Sequence, residues 1–335
     1  MTKADLTESD INTYTIDQLN DLTKTDMTRV NQVIVDHLAS PVVLINQLSQ
    51  HIIHSGGKRL RPMLVVLSAK ACDYQGDQDA LLAAVVEFIH TATLLHDDVV
   101  DDSDLRRGQE TASSIWGNEA AVLVGDYLYS RAFQMMVKAQ SMRMMDLLAN
   151  ATNTIAQGEV LQLLNINDAN TSEERYIEVI YGKTACLFEA ATQIGAILSN
   201  SDEQTEQALK SYGKHLGMAF QLIDDALDYT ANPNELGKNV GDDLAEGKPT
   251  LPLIYAMQQG DDTQQALIRH AIENGGLNHI DAITQIIHST GALEYTYQQA
   301  ISEANLAKQA IKLLPASEYK KALNFLADYS VDRSH

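Results

Sequence analysis

Two aspartate-rich segments of the same form carry the clearest chemistry in this sequence. Each is a DDxxD motif with aspartates at its first, second and fifth positions: Asp97, Asp98 and Asp101 in one, and Asp224, Asp225 and Asp228 in the other. Apolar residues with helical spacing flank both motifs, and carboxylates are rarely buried without a partner. Because side chains at positions i and i+4 share one face of a helix, the first and fifth aspartates of each motif should project together.

Two such acidic faces, opposed across a helical bundle, need cations between them, because like charges held close disfavour the ionised form. Oxygen ligands without His or Cys at metal-binding spacing favour Mg²⁺ over zinc. Mg²⁺ takes few protein ligands and completes its shell with water and phosphate oxygens. The motifs therefore predict a carboxylate-lined cavity in which Mg²⁺ holds a diphosphate. The alternative, two solvated acidic surface runs, conflicts with the apolar residues that flank both motifs.

Four cationic segments could hold phosphate groups. They contain Lys58, Arg59 and Arg61, then Arg106 and Arg107, then Lys183 beside Thr184, and finally Lys238 and Lys248. Arginine suits bidentate phosphate contact, and lysine supplies a point charge. Any one of these residues alone is typical of a surface charge. Their joint spacing relative to the two acidic motifs favours a binding site for a small polyanionic substrate.

The composition excludes several functional classes. The formal net charge of −21 over 335 residues argues against a nucleic-acid-binding surface and against electrostatic docking on anionic lipid. The two cysteines, Cys72 and Cys186, form neither a metal-binding pattern nor a disulfide framework and indicate a reducing cytoplasm. No segment has the ~18 uninterrupted apolar residues of a transmembrane helix. The polar, acidic N-terminus does not resemble a signal peptide.

The hydrophobic pattern is helical almost throughout. Residues 1–25 are expected to form a flexible N-terminal segment, and residues 26–335 a single all-α domain whose helical periodicity begins near Met27. Ser40-Pro41 predicts the start of the next helix, which should end at Gly56-Gly57. Further helical patterns begin at Pro62, cover residues 80–102, 119–140, 143–164, 172–198, 202–230 and 250–259, and continue to the end. No strand alternation is evident.

Taken as a set, the motifs are specific, and the sequence resembles the trans-isoprenyl diphosphate synthases over about residues 30–330. The resemblance rests on Gly-Gly-Lys-Arg-Leu-Arg-Pro, on Leu-Leu-His-Asp-Asp-Val-Val-Asp with Leu-Arg-Arg-Gly, on Gly-Lys-Thr, on Phe-Gln-Leu-Ile-Asp-Asp-Ala-Leu-Asp, and on the segment Gly-Lys-Asn-Val-Gly-Asp-Asp-Leu-Ala-Glu-Gly-Lys-Pro-Thr-Leu-Pro. Within this family the sequence is most similar to the bacterial octaprenyl diphosphate synthases, which make the ubiquinone side chain.

The resemblance implies an all-α bundle of the isoprenoid synthase type with a central cavity, and a role for each motif. Mg²⁺ on the allylic diphosphate would be held by Asp97, Asp98, Asp101, Asp224 and Asp228, with Asp225 in the same motif. Arg106, Lys183 and Lys238 would contact that diphosphate. Lys58, Arg61, His90 and Arg107 would hold isopentenyl diphosphate, and Lys248 is a further candidate for substrate binding. Thr184 and Gln221 would lie near the developing allylic cation.

The helix that carries the first motif also bears on product length. A hydrocarbon chain growing away from the metals should pass Ala92 and Thr93, which are small. In the family, aromatic residues at these positions block the channel, so their absence here predicts a long product, octaprenyl diphosphate. Phe133 is the candidate floor of the channel, and an ordinary core aromatic is the alternative.

Other functions remain open. A shorter or longer product, geranylgeranyl or nonaprenyl diphosphate, is the nearest alternative. A class I terpene cyclase would normally carry Asn/Asp, Ser/Thr and Glu in place of the second DDxxD. A non-catalytic subunit of a heteromeric prenyl synthase would usually have damaged aspartate motifs, whereas both are intact here. The resemblance implies a cytoplasmic homodimer. It is compatible with transient membrane contact for product release. The terminal Val331-Asp332-Arg333-Ser334-His335 has one arginine, which argues against a basic lid.

Overall fold

The computed structural model describes residues 14–54, 57–106, 108–230 and 241–332, and most of them are helical. The helices of the first half are α1 (Ile16–Leu38), α2 (Val43–His54), α3 (Leu60–Ala71), α4 (Gln78–Val100), α5 (Ala112–Trp116), α6 (Asn118–Lys138) and α7 (Met142–Asn165). Those of the second half are α8 (Glu173–Ile180), α9 (Cys186–Leu198), α10 (Glu203–Leu227), α11 (Asp242–Ala245), α12 (Leu251–Gln259), α13 (Asp262–Asn274), α14 (Ile280–Ser289), α15 (Ala292–Ala310) and α16 (Glu318–Val331).

Three kinds of short element connect these helices. A π-helical turn, Tyr181–Ala185, joins α8 directly to α9, and 3₁₀ turns cover Leu277–His279 and Ile311–Leu313. A two-residue antiparallel hairpin pairs Leu105–Arg106 with Gln109–Glu110 immediately after α4. Neither the hairpin nor α5 was expected, because the sequence pattern over residues 103–116 indicates only a break between helices.

The first helix begins earlier than its periodicity suggests. Thr15 caps α1 in a reciprocal arrangement: the Gln18 amide donates to Thr15 Oγ1 at 3.2 Å, and the Thr15 amide donates to Gln18 Oε1 at 2.8 Å. Leu19 and Thr23, one turn apart, are buried in the bundle. Residues 16–25 are therefore helical rather than flexible, which corrects that part of the predicted N-terminal segment. Residues 1–13 lie outside the described residues.

Helix α4 is the centre of the fold. It packs against α1, α3, α6 and α9, and most apolar side chains along it are buried. Among the described residues, α4 is also the one helix long and apolar enough to span a membrane, but 67% of its apolar window is buried inside the bundle. Its apolarity therefore fits a core helix. Helix α10 forms a second axis and packs against α9, α15 and α16.

Two helices meet backbone to backbone beside the acidic motifs. At the crossing of α7 with the π-helical turn, Gly158 faces Gly182. A Cβ added at Gly158 would lie 2.7 Å from the carbonyl carbon of Gly182, closer than real Cβ contacts. This close approach sets the positions of the next residues, Glu159 and Lys183.

We expect Gly158→Ala to destabilise the protein. In an open helix the substitution would gain about 1 kcal/mol of helix propensity. Here the added methyl must push α7 from the π-helical turn, and overpacking of this kind costs typically 1–3 kcal/mol. Thermal unfolding should show a lower Tm, while the exposed neighbour Gln157→Ala on the same helix should leave Tm nearly unchanged. A higher Tm in Gly158→Ala would contradict the close approach.

Candidate active site

The first and fifth aspartates of the first motif meet lysines from two other parts of the chain. Asp97 Oδ2 lies 3.5 Å from the Lys183 ammonium in the π-helical turn, and Asp101 Oδ1 lies 2.9 Å from the Lys248 ammonium after α11. Lys248 also pairs with Glu246. Burial alone would lower the pKa of Lys248, but the nearby carboxylates of Asp101 and Glu246 have a larger opposite effect, so the pKa of Lys248 is raised. Each of these two carboxylates is thus paired with an ammonium group, and their role as metal ligands stays a prediction.

The second aspartate of the first motif has a different environment. Asp98 is buried, with 2% of its surface exposed, and its Oδ1 accepts a hydrogen bond from Arg106 Nε at 2.7 Å. Burial raises the pKa of Asp98, while Arg106 opposes that shift. Arg106 lies in the hairpin, so Asp98 anchors this hairpin to the end of α4. A role for Asp98 as a metal ligand stays a prediction, and this geometry gives it a structural task.

We expect Arg106→Ala to destabilise the protein by roughly 1–3 kcal/mol, because it leaves the buried Asp98 carboxylate without its charged donor. Asp98→Asn in the Arg106→Ala background should recover part of the loss, since the amide is neutral. Urea unfolding of the two single variants and the double variant measures this coupling. Strictly additive effects would show that the pair makes no specific contribution.

The second motif repeats this division. Asp225 is buried, and both of its carboxylate oxygens accept hydrogen bonds: Oδ2 from the Tyr176 hydroxyl at 2.6 Å, and Oδ1 from Gln221 Nε2 at 2.8 Å. Burial raises the pKa of Asp225 to about 8, while the two hydrogen bonds act in the opposite direction. By contrast Asp224 is exposed and Asp228 half-buried. In both motifs the second aspartate thus anchors neighbouring structure, and the first and fifth are more accessible.

Two sets of contacts link the segments around the two motifs, and we call the region between the motifs the acidic cleft. Thr184, next to Lys183, donates its hydroxyl to Gln221 Oε1 at 2.8 Å, and Gln221 in turn reaches Asp225. On the other side, the Asp243 amide lies 3.3 Å from Asp228 Oδ2, within the short segment that also carries Lys248. The structure therefore joins Thr184 to Gln221, and it pairs Lys183 and Lys248 with Asp97 and Asp101 of the first motif. The predicted position of Thr184 and Gln221 near the allylic cation stays a prediction.

A second basic group lies between α3, α4 and α16. Arg61 Nη1 is 2.9 Å from His90 Nε2, and the Arg61 guanidinium lies 4.6 Å from the centre of the Phe188 ring. The Lys58 ammonium donates to the Tyr329 hydroxyl at 2.5 Å. Arg61 and His90, two of the residues predicted to hold isopentenyl diphosphate, are thus in contact. Arg107 and Lys238 lie outside the described residues, so their roles stay predictions.

The candidate chain-length residues lie along α4 and α6. Ala92 is fully buried, and Thr93 is half-buried, with its hydroxyl donating to the His90 carbonyl at 2.8 Å. The Phe133 ring is 6.4 Å from that of Tyr129, and Phe133 is 37% exposed on α6. Phe133 is therefore not an ordinary core aromatic in this chain. Its role as the floor of a channel stays a prediction.

Three contributors were missed by the sequence analysis. Tyr176 holds Asp225, Tyr329 meets Lys58, and Glu159 accepts a hydrogen bond from Lys183 at 2.9 Å. Burial raises the pKa of Glu159 to about 7, with Asp97 adding to the shift and Lys183 opposing it. A glycine beside Glu159 inside a long helical pattern was the available signal, because glycine is unfavourable there unless close packing requires it.

The donor set fits a hard divalent cation shared with a diphosphate. Within the described ranges, no three His, Cys, Asp or Glu side chains are grouped closely enough to hold a metal ion by themselves. Asp97 and Asp101 nevertheless each attract an ammonium group, and Asp224 is accessible. Mg²⁺ is commonly held by one or two carboxylates together with substrate phosphates. Such a site would be completed by its substrate.

A polar cavity of about 360 Å³ lies elsewhere, between α7, α9 and α10. Its cations are already paired, Arg143 with Glu206 and Lys210 with Glu189 at 3.5 Å. It contains no residue of either DDxxD motif. The lining of this cavity therefore gives no reason to move the predicted substrate site away from the two motifs.

Comparison with known proteins then decides the family. The polyprenyl synthetase family matches residues 42–290. The chain belongs to the polyprenyl synthetase family. This polyprenyl synthetase chain is 53% identical over 321 residues to the octaprenyl diphosphate synthase of Haemophilus influenzae, with 96% of this chain and 98% of that protein covered. It is 51% identical over 319 residues to the octaprenyl diphosphate synthase of Escherichia coli, with 95% and 99% covered.

A solved structure agrees. The polyprenyl synthase of Caulobacter crescentus, in complex with calcium and isoprenyl diphosphate, superposes with a TM-score of 0.93 at 44% identity and covers 97% of this chain and 99% of its own. The predicted family, the all-α isoprenoid synthase fold and the prenyltransferase class are thereby confirmed. The role of each site residue stays a prediction.

Proposed function

We propose that this chain joins isopentenyl diphosphate head to tail onto an allylic diphosphate, with farnesyl diphosphate as the starter. The product is a long-chain all-trans polyprenyl diphosphate, octaprenyl diphosphate, for a quinone side chain. One observation carries the proposal: Lys183 and Lys248 pair with the first DDxxD motif, and Thr184, next to Lys183, is linked through Gln221 to the second. The similarity to two octaprenyl diphosphate synthases supports the chain length.

Mg²⁺ held by Asp97, Asp101, Asp224 and Asp228 would supply electrostatic stabilisation of the departing diphosphate. The calcium and isoprenyl diphosphate of the Caulobacter crescentus structure support a divalent cation in this cleft. Lys183 and Lys248 would share the charge of the allylic diphosphate as it leaves, and their pairing with Asp97 and Asp101 supports this role. Arg61 and His90 would hold the second diphosphate, so that the double bond of isopentenyl diphosphate lies close to the allylic carbon.

The residues proposed to lie near the reacting carbon are held by hydrogen bonds to each other. The Thr184 hydroxyl and the Gln221 amide are connected to each other and to the buried Asp225. Their oxygen atoms would stabilise positive charge on the allylic carbon. This division asks no protein side chain to act as a nucleophile.

Turnover by the purified chain alone tests the proposal. With farnesyl and isopentenyl diphosphates and Mg²⁺, mass spectrometry should detect octaprenyl diphosphate, and chelation of the metal should abolish it. If the longest product is geranylgeranyl or nonaprenyl diphosphate, the proposed reaction stands and the proposed chain length is wrong. Absence of turnover until a second protein is added would favour the heteromeric subunit.

The assembly and location form the last part of the proposal. Exposed apolar side chains lie on α6 and α7, among them Leu123, Val137, Val160 and Leu164. Exposed apolar side chains on two helices that follow each other in the chain suit a second copy of it, so we infer a homodimer. Light scattering of the purified chain measures its mass in solution. The chain would act in the cytoplasm, with transient membrane contact when the hydrocarbon product is released.

A further inference from the structure

We propose that Glu159 is a positioning residue that holds the Lys183 ammonium in place for the allylic diphosphate. The inference rests on the proposed function, because it assigns Lys183 to that substrate. Glu159 Oε2 accepts a hydrogen bond from Lys183 Nζ at 2.9 Å, and Asp97 Oδ2 lies at 3.5 Å from the same nitrogen. Lys183 thus has a nearer partner that belongs to neither DDxxD motif.

The backbone fixes this pair. Gly158 and Gly182 immediately precede Glu159 and Lys183, and the two glycines touch where α7 crosses the π-helical turn. Side chains larger than hydrogen at the crossing would separate the two segments. π-helical turns are rare and occur frequently at functional sites. Here the π-helical turn orients the Lys183 side chain towards Glu159 on α7.

The charges explain why a second partner is needed. Lys183 is only 21% exposed, so its charge requires carboxylates nearby. Asp97 is one such carboxylate in this structure, but a divalent cation bound to Asp97 would compete with Lys183 for it. Glu159 then remains as the anchor, and the ammonium stays at the edge of the cleft. Without Glu159, Lys183 would either lose its position or compete with the cation for Asp97.

One atom of Glu159 is consistent with an anchoring task. Its Oε1 is buried and, among the described residues, has no hydrogen-bond partner, whereas Oε2 carries the contact with Lys183. A buried unsatisfied oxygen costs free energy, typically about 1–3 kcal/mol. The chain thus keeps a carboxylate here at a cost in stability, which is common for groups that serve function.

The test measures binding as well as turnover. Farnesyl thiodiphosphate, an unreactive allylic analogue, is titrated calorimetrically with Mg²⁺ into the wild type and its variants. Glu159→Ala should raise the Kd of the analogue roughly 10-fold, as expected for losing the geometry of one charged contact. Glu159→Gln keeps an acceptor oxygen and should raise Kd less than about 3-fold. The KM for isopentenyl diphosphate should change little in either variant.

A double-mutant cycle separates positioning from a general structural role. If Glu159 acts through Lys183, Glu159→Ala should have no further effect on Kd in a Lys183→Ala background. Effects that multiply in the double variant would overturn the proposal. So would an unchanged Kd in Glu159→Ala. If Glu159→Ala does not fold, Glu159→Met, which fills a similar volume, takes its place in the same cycle.

A matched control comes from the other end of α7. Glu206 is also a buried carboxylate, and it pairs with Arg143 of α7, away from the cleft. Glu206→Ala should lower Tm but leave the Kd of the analogue unchanged. If only the role of Glu159 is wrong, the wild type still turns over its substrates. If the proposed function is wrong, the wild type shows no turnover at all. The two failures are therefore distinguishable.

Discussion

Asp97→Ala and Asp224→Ala are each expected to lower kcat by at least roughly 1,000-fold. Each variant removes an accessible carboxylate predicted to hold the metal that stabilises the departing diphosphate. Such stabilisation is worth several kcal/mol, and about 1.4 kcal/mol corresponds to a factor of ten. The fold should survive, because Asp224 is exposed and Asp97 is only half-buried, whereas Asp98 and Asp225 are fully buried. Single-turnover kinetics at saturating substrates measures the loss.

The same variants should show little change in Tm, and Asp224→Ala could raise it by relieving repulsion among the acidic groups. Asp104→Ala, an exposed aspartate just beyond the first motif, is the control and should retain wild-type kcat. Near-wild-type turnover of both cleft variants at saturating Mg²⁺ would rule out the assignment of these carboxylates to metal.

The helices were predictable because helical periodicity is a local property of the sequence. The expected ranges 143–164 and 250–259 agree closely with α7 and α12. The start of α1 was placed eleven residues too late, since Thr15 and Gln18 form a capping box outside the apolar pattern. Similarly, α2 begins at Val43 and not directly after Ser40. The Val42 amide donates a hydrogen bond to Ser40 Oγ in a turn before the helix. The π-helical turn has no periodicity of its own and was read as continuous helix.

The site was predictable as far as spacing on one helix could determine it. Positions i and i+4 correctly placed Asp97 and Asp101 together on one face. Spacing could not show which aspartate of each motif is buried, because burial depends on partners from distant segments. Asp98 is buried against Arg106, and Asp225 against Tyr176, through hydrogen bonds. For the same reason Glu159 was missed, since only the Gly158–Gly182 crossing brings it to Lys183.

Thr93→Tyr is expected to shorten the product by several isoprene units. Thr93 lies one helical turn before Asp97, so the two side chains share one face of α4. It is small and half-buried, and its neighbour Ala92 is fully buried. A tyrosine at this position would fill the path of the growing chain, because a close-packed wall yields its volume only at a cost of about 1–3 kcal/mol. Mass spectrometry of the products gives the chain length directly.

Two further variants decide what a shortened product means. Thr93→Val keeps the volume and removes only the hydroxyl that binds the His90 carbonyl, so the product should keep its length. Phe133→Ala should lengthen the product if Phe133 forms the floor of the channel; unchanged length would move the floor elsewhere and leave the reaction untouched. An unchanged product in Thr93→Tyr would show that the chain does not grow along α4. The length of the prenyl product would then be limited by residues of another helix, because the diphosphate site determines only where the hydrocarbon begins.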